Sequence, residues 1–474
     1  MPFRISVARI YPKVVIFLCA LFLISCKTEK EVFEPPHTLL PAIEASLDSL
    51  IPIWYPRTID SVNGGFWSGF NYQWQREGEP NKMVVTQARH LWTTATLAHF
   101  YGSEEYRKIA QHGYHFLRDV MWDKQYGGFH TLLRIEHDSL SVRSHTKSAY
   151  GNSFAIYGLT AYYKISKDTM ALNLAKKTFL WLEEHAHDKQ HKGYFDVIRP
   201  DGSLIPDAEE NEVGYNNFIR RRWKDQNSSI HLLESFTTLY EAWPHPLLKE
   251  RLEELLVLIR DTITTSKGYL NLHMEQDWTP ISLRDSTQTY REQNHWIDHV
   301  SFGHDVETAF LMLEACHILG RKNDSLTLHK AKKMVDHALE WGWDKKLGGF
   351  YYTGYYWDNA GTRTIEDDSK VWWTQAEGLN SLLLFSKLFP EEPIYAQLFE
   401  KQWEYIVTQM IDHRYGGWLH AGLDNDPMAK YDPKAHNWKV NYHNVRALVN
   451  TIHMLKGTFP LTLDESEHLA PLSK

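Results

Sequence analysis

Apolar side chains return at intervals of three and four along this chain, over stretches of 16 to 19 residues separated by polar, glycine-punctuated connections. In 148–166, Ala149, Phe154, Ala155, Tyr157, Gly158, Leu159 and Tyr162 follow the recurrence of a packed helix. Comparable segments at 37–53, 84–101, 104–120, 168–185, 227–243, 247–264, 304–320, 326–341, 371–388, 394–411 and 442–457 bring the expected helices to twelve. Six Gly-Gly-aromatic or related triplets punctuate them: Gly64-Gly65-Phe66, Gly127-Gly128-Phe129, Gly193-Tyr194-Phe195, Gly268-Tyr269-Leu270, Gly348-Gly349-Phe350 and Gly416-Gly417-Trp418. Their third residues lie 63, 66, 75, 80 and 68 positions apart. That is an internal repeat of roughly 70 residues, room for two helices of about 15 residues and their connections.

An open array of six helix pairs needs polar caps at its ends, yet the first and last segments are as apolar as the middle ones. The pattern therefore predicts an all-α fold, an (α/α)6 barrel in which six helix pairs close into a toroid, with an open helical array as the alternative. The triplets are expected as short β-hairpins at one mouth, where Gly supplies positive φ.

Composition bears on compartment and partners. Residues 1–25 combine Arg4, Arg9 and Lys13 with an apolar run from Val14 to Ile24, followed by Leu23-Ile24-Ser25-Cys26. This reads as a bacterial lipoprotein signal peptide ending in a lipobox, with Cys26 the lipid-attachment site; an uncleaved anchor helix is the alternative. Residues 26–36 then form a polar tether, 37–460 the catalytic barrel and 461–474 a C-terminal tail. The implied location is the cell envelope, at the periplasmic face or the surface, with membrane contact through the lipid alone. Removing residues 1–25 takes away three basic and no acidic side chains, so formal charge moves from −8 to −11. Nucleic acid is excluded as a partner on that charge. Cys19 leaves with the signal and Cys26 carries lipid, so Cys316 has no disulfide partner. A monomer acting on a small molecule is expected.

The first helix of each pair opens on polar groups set among apolar neighbours: Arg89, Asn152, His231, His304, Trp373 with Glu377, and His443. Counted from the preceding triplet's third residue, Arg89, Asn152, His231, His304, Trp373 and His443 fall 23, 23, 36, 34, 23 and 25 positions on. Similar phase in a closed repeat means similar height, so an inner ring of first helices would gather them in one cup. Each histidine alone fits a core residue; three at one level with an Arg and two Glu fit a site. The loops before these helices, at 199–225, 271–303, 353–369 and 419–441, carry Tyr215, Phe218, Trp223, Trp278, Tyr290, Trp296, Tyr355, Tyr356, Trp357 and Trp438. Aromatic faces on such a rim suit the C–H faces of a sugar.

Five ordered segments carry a family resemblance: Gln87-Ala88-Arg89, His231-Leu232-Leu233-Glu234, Gly303-His304-Asp305-Val306-Glu307, Trp372-Trp373-Thr374-Gln375-Ala376-Glu377 and Trp438-Lys439-Val440-Asn441-Tyr442-His443-Asn444. Over about 37–460 the chain resembles the N-acylglucosamine 2-epimerase family, nearest its cellobiose and mannobiose 2-epimerase branch. The resemblance implies His304 and His443 as the acid/base pair, Arg89 as a contact to substrate oxygen and His231 as a third active-site histidine. It also implies Glu307, Trp373, Glu377 and Trp438 as pocket residues. Two positions depart from the pattern: Ser229, where many members have histidine, and Phe310, where the disaccharide branch carries Trp.

The implied reaction inverts C2 of a reducing-end glucose or mannose. The C2 hydrogen is acidic only while C1 is an open-chain aldehyde, so the enzyme must open the ring, remove the proton and return it to the other face of a cis-enediol. Histidine titrates near neutrality and suits both steps, while an Arg at O1 or O2 stabilises the oxyanion. Glu307, three residues after His304, is placed to orient that imidazole. The chemistry calls for no metal and no cofactor, and Walker A, dinucleotide-fingerprint and H-E-x-x-H motifs are absent from the sequence. Other readings are an aldose-ketose isomerase or monosaccharide 2-epimerase on the same site, and a glycoside hydrolase using carboxylates among Asp305, Glu307 and Glu377. A glycan-binding lipoprotein and a metal site of His231, His304 and Glu307 complete the set.

Overall fold

Every apolar-periodic segment is a helix in the computed structural model, which describes residues 37–136, 139–205 and 222–461. The helices are α1 (Leu40–Trp54), α2 (Val84–Tyr101), α3 (Glu104–Phe116), α4 (Ala149–Ser166), α5 (Thr169–His185), α6 (Gln226–Ala242), α7 (Pro246–Leu258), α8 (Gln288–Asn294), α9 (Phe302–Ile318), α10 (Ser325–Trp341), α11 (Trp372–Leu388), α12 (Ile394–Tyr405) and α13 (Tyr442–Leu455). Residues 1–36, with Cys26, and the end of the tail lie outside the described residues, as do Tyr215 and Phe218. Among the described residues no helix is long and apolar enough to cross a membrane.

Helices α2, α4, α6, α9, α11 and α13 pack side by side in that order, and α13 returns to α2. The inner ring is closed, which rules out the open array. Around it, α3, α5, α7, α10, α12 and α1 each back their inner partner. The sequence encodes the two layers differently. Inner helices are buried nearly all round, as in α4, whereas outer ones such as α3 keep charged residues on a solvent face. Side-chain caps at Ser103, Ser148, Asp168, Asp225 and Asp324 satisfy helix N-termini. Helix α8 was not expected; it has seven residues and none buried, so no apolar period marks it.

Each triplet closes a tight turn between an outer helix and the next inner one, bridging Ile59 to Phe66, Trp122 to Phe129, His187 to Tyr194, Thr264 to Leu270, Trp343 to Phe350 and Ile411 to Trp418. Both glycines of the double-Gly turns have positive φ, such as 72° and 68° at Gly127 and Gly128. In the third repeat Lys192 takes the first such position at φ 67°. Its triplet is therefore Lys192-Gly193-Tyr194, one residue earlier than the Gly193-Tyr194-Phe195 reading. Short antiparallel pairings stitch each repeat to the next around this mouth. Asn81–Met83 pairs with Leu132–Glu136, Lys147–Ser148 with Val197–Ile198, Lys224–Asp225 with His273–Met274, and Val300–Ser301 with Thr353–Tyr356. Bridges Val371 to Ala421 and Phe70 to Ala435 complete the belt.

A buried ion pair locks five of the six turns. Lys82 reaches Asp60, Lys147 Asp123, Lys224 Asp188 and Lys370 Asp344 at 2.7 Å, and Lys434 Asp412 at 2.5 Å. The other oxygen of each Asp accepts turn N–H groups, as Asp123 does from Gln125 and Tyr126. In the fourth repeat Thr265 and Val300 stand in the two places. A buried pair broken from one side leaves a stranded charge. Lys82→Ala should therefore lower stability in urea by about 3 to 5 kcal/mol, and Lys82→Val combined with Asp60→Thr, the fourth repeat's solution, should recover more than half; equal losses in the two variants would contradict this role.

Candidate active site

Helical geometry sorts the polar residues at the tops of the inner helices into two tiers and an outward face. At 100° per residue, positions two and six point the same way and position four points nearly opposite. Tyr150, Asn227, Trp373 and His443 are second residues of their helices and His304 is a third; together they form the upper tier. One turn deeper, Arg89, Phe154, His231, Glu307 and Glu377 are sixth residues and Arg446 is a fifth. Position four faces the triplets. There Gln87 accepts from Phe66 N, Asn152 from Phe129 N, Asp305 from Leu270 N and Gln375 from Phe350 N, at 2.7 to 3.0 Å. Asn152 is thus a turn anchor and not a substrate ligand, because its phase turns it away from the cup.

Arg446 binds the lower tier together. Its guanidinium donates to Glu234 of α6, Glu307 of α9 and, at 2.6 Å, Glu377 of α11, so one cation from α13 ties down three carboxylates on three other inner helices. It also meets the Tyr442 hydroxyl at 2.5 Å. Burial by itself would raise the Glu234 carboxyl, but Arg446, His231 and Tyr442 outweigh it and hold the group down at about 2. Burial wins at Glu377, which sits above the ordinary carboxylate range despite Arg446. From these carboxylates the network reaches two histidines: Glu234 meets His231 Nδ1 at 2.9 Å, and Glu377 meets His443 Nδ1 at 2.7 Å. A carboxylate at Nδ1 takes that N–H and leaves the Nε2 lone pair of His443 for the cup.

His304 is held otherwise. Its Nδ1 lies 2.8 Å from Ser301 Oγ and 3.4 Å from Gln226 Nε2, and Glu307, expected to orient it, is engaged by Arg446. The Gln226 amide N–H can only donate and the serine hydroxyl can do either, so these partners favour Nδ1 as an acceptor and the proton on Nε2. Burial pushes both His304 and His443 well below the usual histidine value of 6.5, reinforced at His304 by neighbouring histidines and Arg89. Both are neutral at pH 7. Trp373 stands between them, its ring 4.6 Å from His304 and 5.7 Å from His443. Helices α9 and α13 are both neighbours of α11, so the two histidines flank Trp373 and do not face each other across the barrel. A Cβ at Gly303 would come within 2.6 Å of the Trp373 ring, which explains the glycine before His304.

The upper space is two adjoining cavities, within the size range of ligand sites. One of about 420 Å³ is lined by Arg89, His231, His304, Glu307, Trp372, Trp373, His420, His436 and His443. The other, about 490 Å³, extends over Asp196, Trp223, Asp225, Gln226, His273, Trp296, His299 and Ser301. Tyr150, Asn227, His304, Tyr352 and Trp438 border both. Arg89 donates to Trp438 O at 3.2 Å and to the Tyr150 hydroxyl at 3.0 Å, fixing the rim. Buried Glu307 Oε2 has no protein partner and is available to a ligand hydroxyl.

Phe310 lines neither cavity: two turns below His304, it is 1 % exposed and packs toward Phe459 past the end of α13. It is a core residue. Asp305 and the Arg446-bound pair Glu307 and Glu377 offer no two carboxylates flanking a shared space, which removes these three as the acid and base of a hydrolase. The trio His231, His304 and Glu307 is likewise not gathered; among the described residues Glu307, Glu377 and His443 have ligand atoms within 4.8 Å of one another. Arg446 already bonds both of those carboxylates. Sequence reasoning missed Tyr150, Asn227, Tyr352, His420 and His436 as lining residues. With the third repeat in its correct register, Asp196, Tyr352 and His420 all lie two residues past a triplet, a phase signal the shifted triplet obscured.

The chain has relatives. A cellobiose 2-epimerase of Bacteroides fragilis is 27% identical over 407 residues, 85% of this chain and 95% of that protein. A D-mannose isomerase of Marinomonas mediterranea is 26% identical over 418 residues, covering 87% and 97%. The solved structure of cellobiose 2-epimerase from Spirochaeta thermophila superposes with a TM-score of 0.73 at 26% identity, over 89% of this chain and 99% of that one. The family model for N-acylglucosamine 2-epimerase (GlcNAc 2-epimerase) matches residues 65–447, and by that match the chain, a closed (α/α)6 barrel, belongs to the N-acylglucosamine 2-epimerase family.

Proposed function

We propose that this protein is a sugar 2-epimerase that inverts C2 of the reducing-end glucose or mannose of a β-1,4-linked disaccharide. The observation that carries the reading is the pair of neutral histidines flanking Trp373, beside a second cavity with room for a second sugar ring. The names of the cellobiose 2-epimerase relatives agree with it.

The steps follow from the groups present. An opened sugar lying over Trp373 presents C2 between the two imidazoles. His443, with Nδ1–H held by Glu377, takes the C2 proton at Nε2 from one face; His304, its Nδ1 on the Ser301 hydroxyl, delivers its Nε2 proton to the other face of the intermediate. The proton left on His443 passes through solvent back to His304, the roles exchanging in the reverse direction. Arg89 is the cation nearest the developing oxyanion, and Glu307 Oε2 and His231 are placed for sugar hydroxyls. Trp438 and Tyr150 wall the passage to the second ring. Returning the proton to C1 instead gives a ketose, and the D-mannose isomerase relative keeps that second reading in view. Incubation with cellobiose in heavy water decides: the epimer carrying one deuterium at C2 is expected, whereas a ketose, or free monosaccharide, would replace this reading.

His304→Ala and His443→Ala should each lower kcat by at least about 10²-fold with circular dichroism unchanged. Because burial depresses both imidazoles, the neutral base persists below its ordinary range, so the acid limb of the kcat profile should fall below pH 6.5. Near-normal turnover in either variant, or an acid limb above 6.5, would contradict these roles.

The lipobox reading, which concerns residues outside those described, leads to an envelope enzyme tethered through Cys26 and residues 27–36. Cys26→Ser should move the protein from the membrane to the soluble fraction; membrane retention of that variant would contradict the anchor.

A further inference from the structure

The second cavity holds, on one side, two carboxylates together with two amide oxygens that have no protein partner. Asp196 and Asp225 both face it, Asp196 with Oδ1 on Tyr150 N at 2.8 Å and Asp225 with its oxygens on Ser228. Gln226, 4 % exposed, and Asn227 line the same wall, and the buried oxygens Gln226 Oε1 and Asn227 Oδ1 have no protein partner. No lysine or arginine is among the described residues lining this space. Trp223 and Trp296 also line it.

A neutral disaccharide satisfies acceptors through hydroxyls but brings the two carboxylates no cation, and none is among the described residues lining the cavity. An ammonium satisfies both requirements, since it donates three hydrogen bonds, carries the missing charge and is favoured by aromatic faces. We propose that the second cavity takes a sugar unit bearing a free, protonated amine, so that the enzyme prefers a β-1,4-linked glucosaminyl disaccharide to its neutral counterpart. This rests on the epimerase reading above and names the substrate class of that site.

The titratable groups around the pair agree. Burial, and then the charge of Asp225, raise Asp196 to about 7, as expected where two acidic groups share a space with no cation between them. Of the other groups facing the cavity, His299 is pressed by burial to about 4 and His304 is also held low, while burial lifts Tyr150 to about 12; these three are neutral at pH 7. His273 and Tyr352 complete the set. Arg89 lines the other cavity.

The test compares three substrates on the full chain at pH 7 and low salt: cellobiose, glucosaminyl-β-1,4-glucose and its N-acetylated form, which keeps bulk and removes charge. The free amine should show kcat/KM higher than cellobiose by about tenfold or more, and the N-acetylated sugar should lose that advantage. In Asp196→Asn and Asp225→Asn, which keep an oxygen for the backbone bonds, the ratio of amine to cellobiose should fall toward one. A wild-type ratio near one, or a ratio preserved in both variants, overturns the proposal while leaving the epimerase standing. If none of the three sugars is epimerised, the epimerase reading fails instead. Calorimetric titration of wild type with the amine and neutral disaccharides then decides the cavity's preference, tighter amine binding supporting it and equal binding overturning it.

Discussion

Arg446 is the residue on which the site depends. Three buried glutamates on three helices would repel one another and drive each other toward protonation; one guanidinium among them makes the cluster tenable and fixes the azimuth of α6, α9, α11 and α13 at the same height. Removing one partner of such a network costs several kcal/mol because the remaining charges stay buried. The consequence reaches the chemistry through Glu377 and Glu234, which hold His443 and His231 by their Nδ1 atoms. The acid/base geometry is therefore set by the barrel's own closure, since α13 is the helix that completes the ring.

The two histidines at C2 are treated differently by their surroundings. His443 is tied to a carboxylate and committed to one tautomer, whereas His304 rests on a hydroxyl that can follow it through a proton transfer. Reversible inversion needs each base to be regenerated after every turnover, and burial keeps both neutral in the resting enzyme. Trp373 supplies a flat floor between them.

Much of this was legible in the sequence because the repeat is strong. Apolar periodicity located twelve helices, the apolar first and last segments closed them into a ring, and similar phase gathered His304, His443, His231 and Arg89 in one cup, which the structure divides into two tiers. What failed did so for identifiable reasons. Asn152 shares the approximate height of the cup but sits at position four of its helix, about 200° from position two, and so anchors a turn. Phe310 lies two turns too deep. The third triplet was read one residue late because Lys192 occupies a positive-φ position usually given to glycine. Arg446 stood within a recognised segment yet carried no local mark of its role, since its three partners come from other helices, 69 to 212 residues away in sequence.

The central claim, that two histidines serve opposite faces of one C2 centre, is tested most directly by solvent exchange in single-base variants. His304→Asn and His443→Asn are each incubated in heavy water with the glucose-configured and the mannose-configured disaccharide, and deuterium at C2 of the unreacted sugar is followed by NMR. The account predicts that each variant exchanges one epimer without inverting it, and that the two variants choose opposite epimers. Exchange of both epimers by one variant, or the same epimer by both, would contradict it.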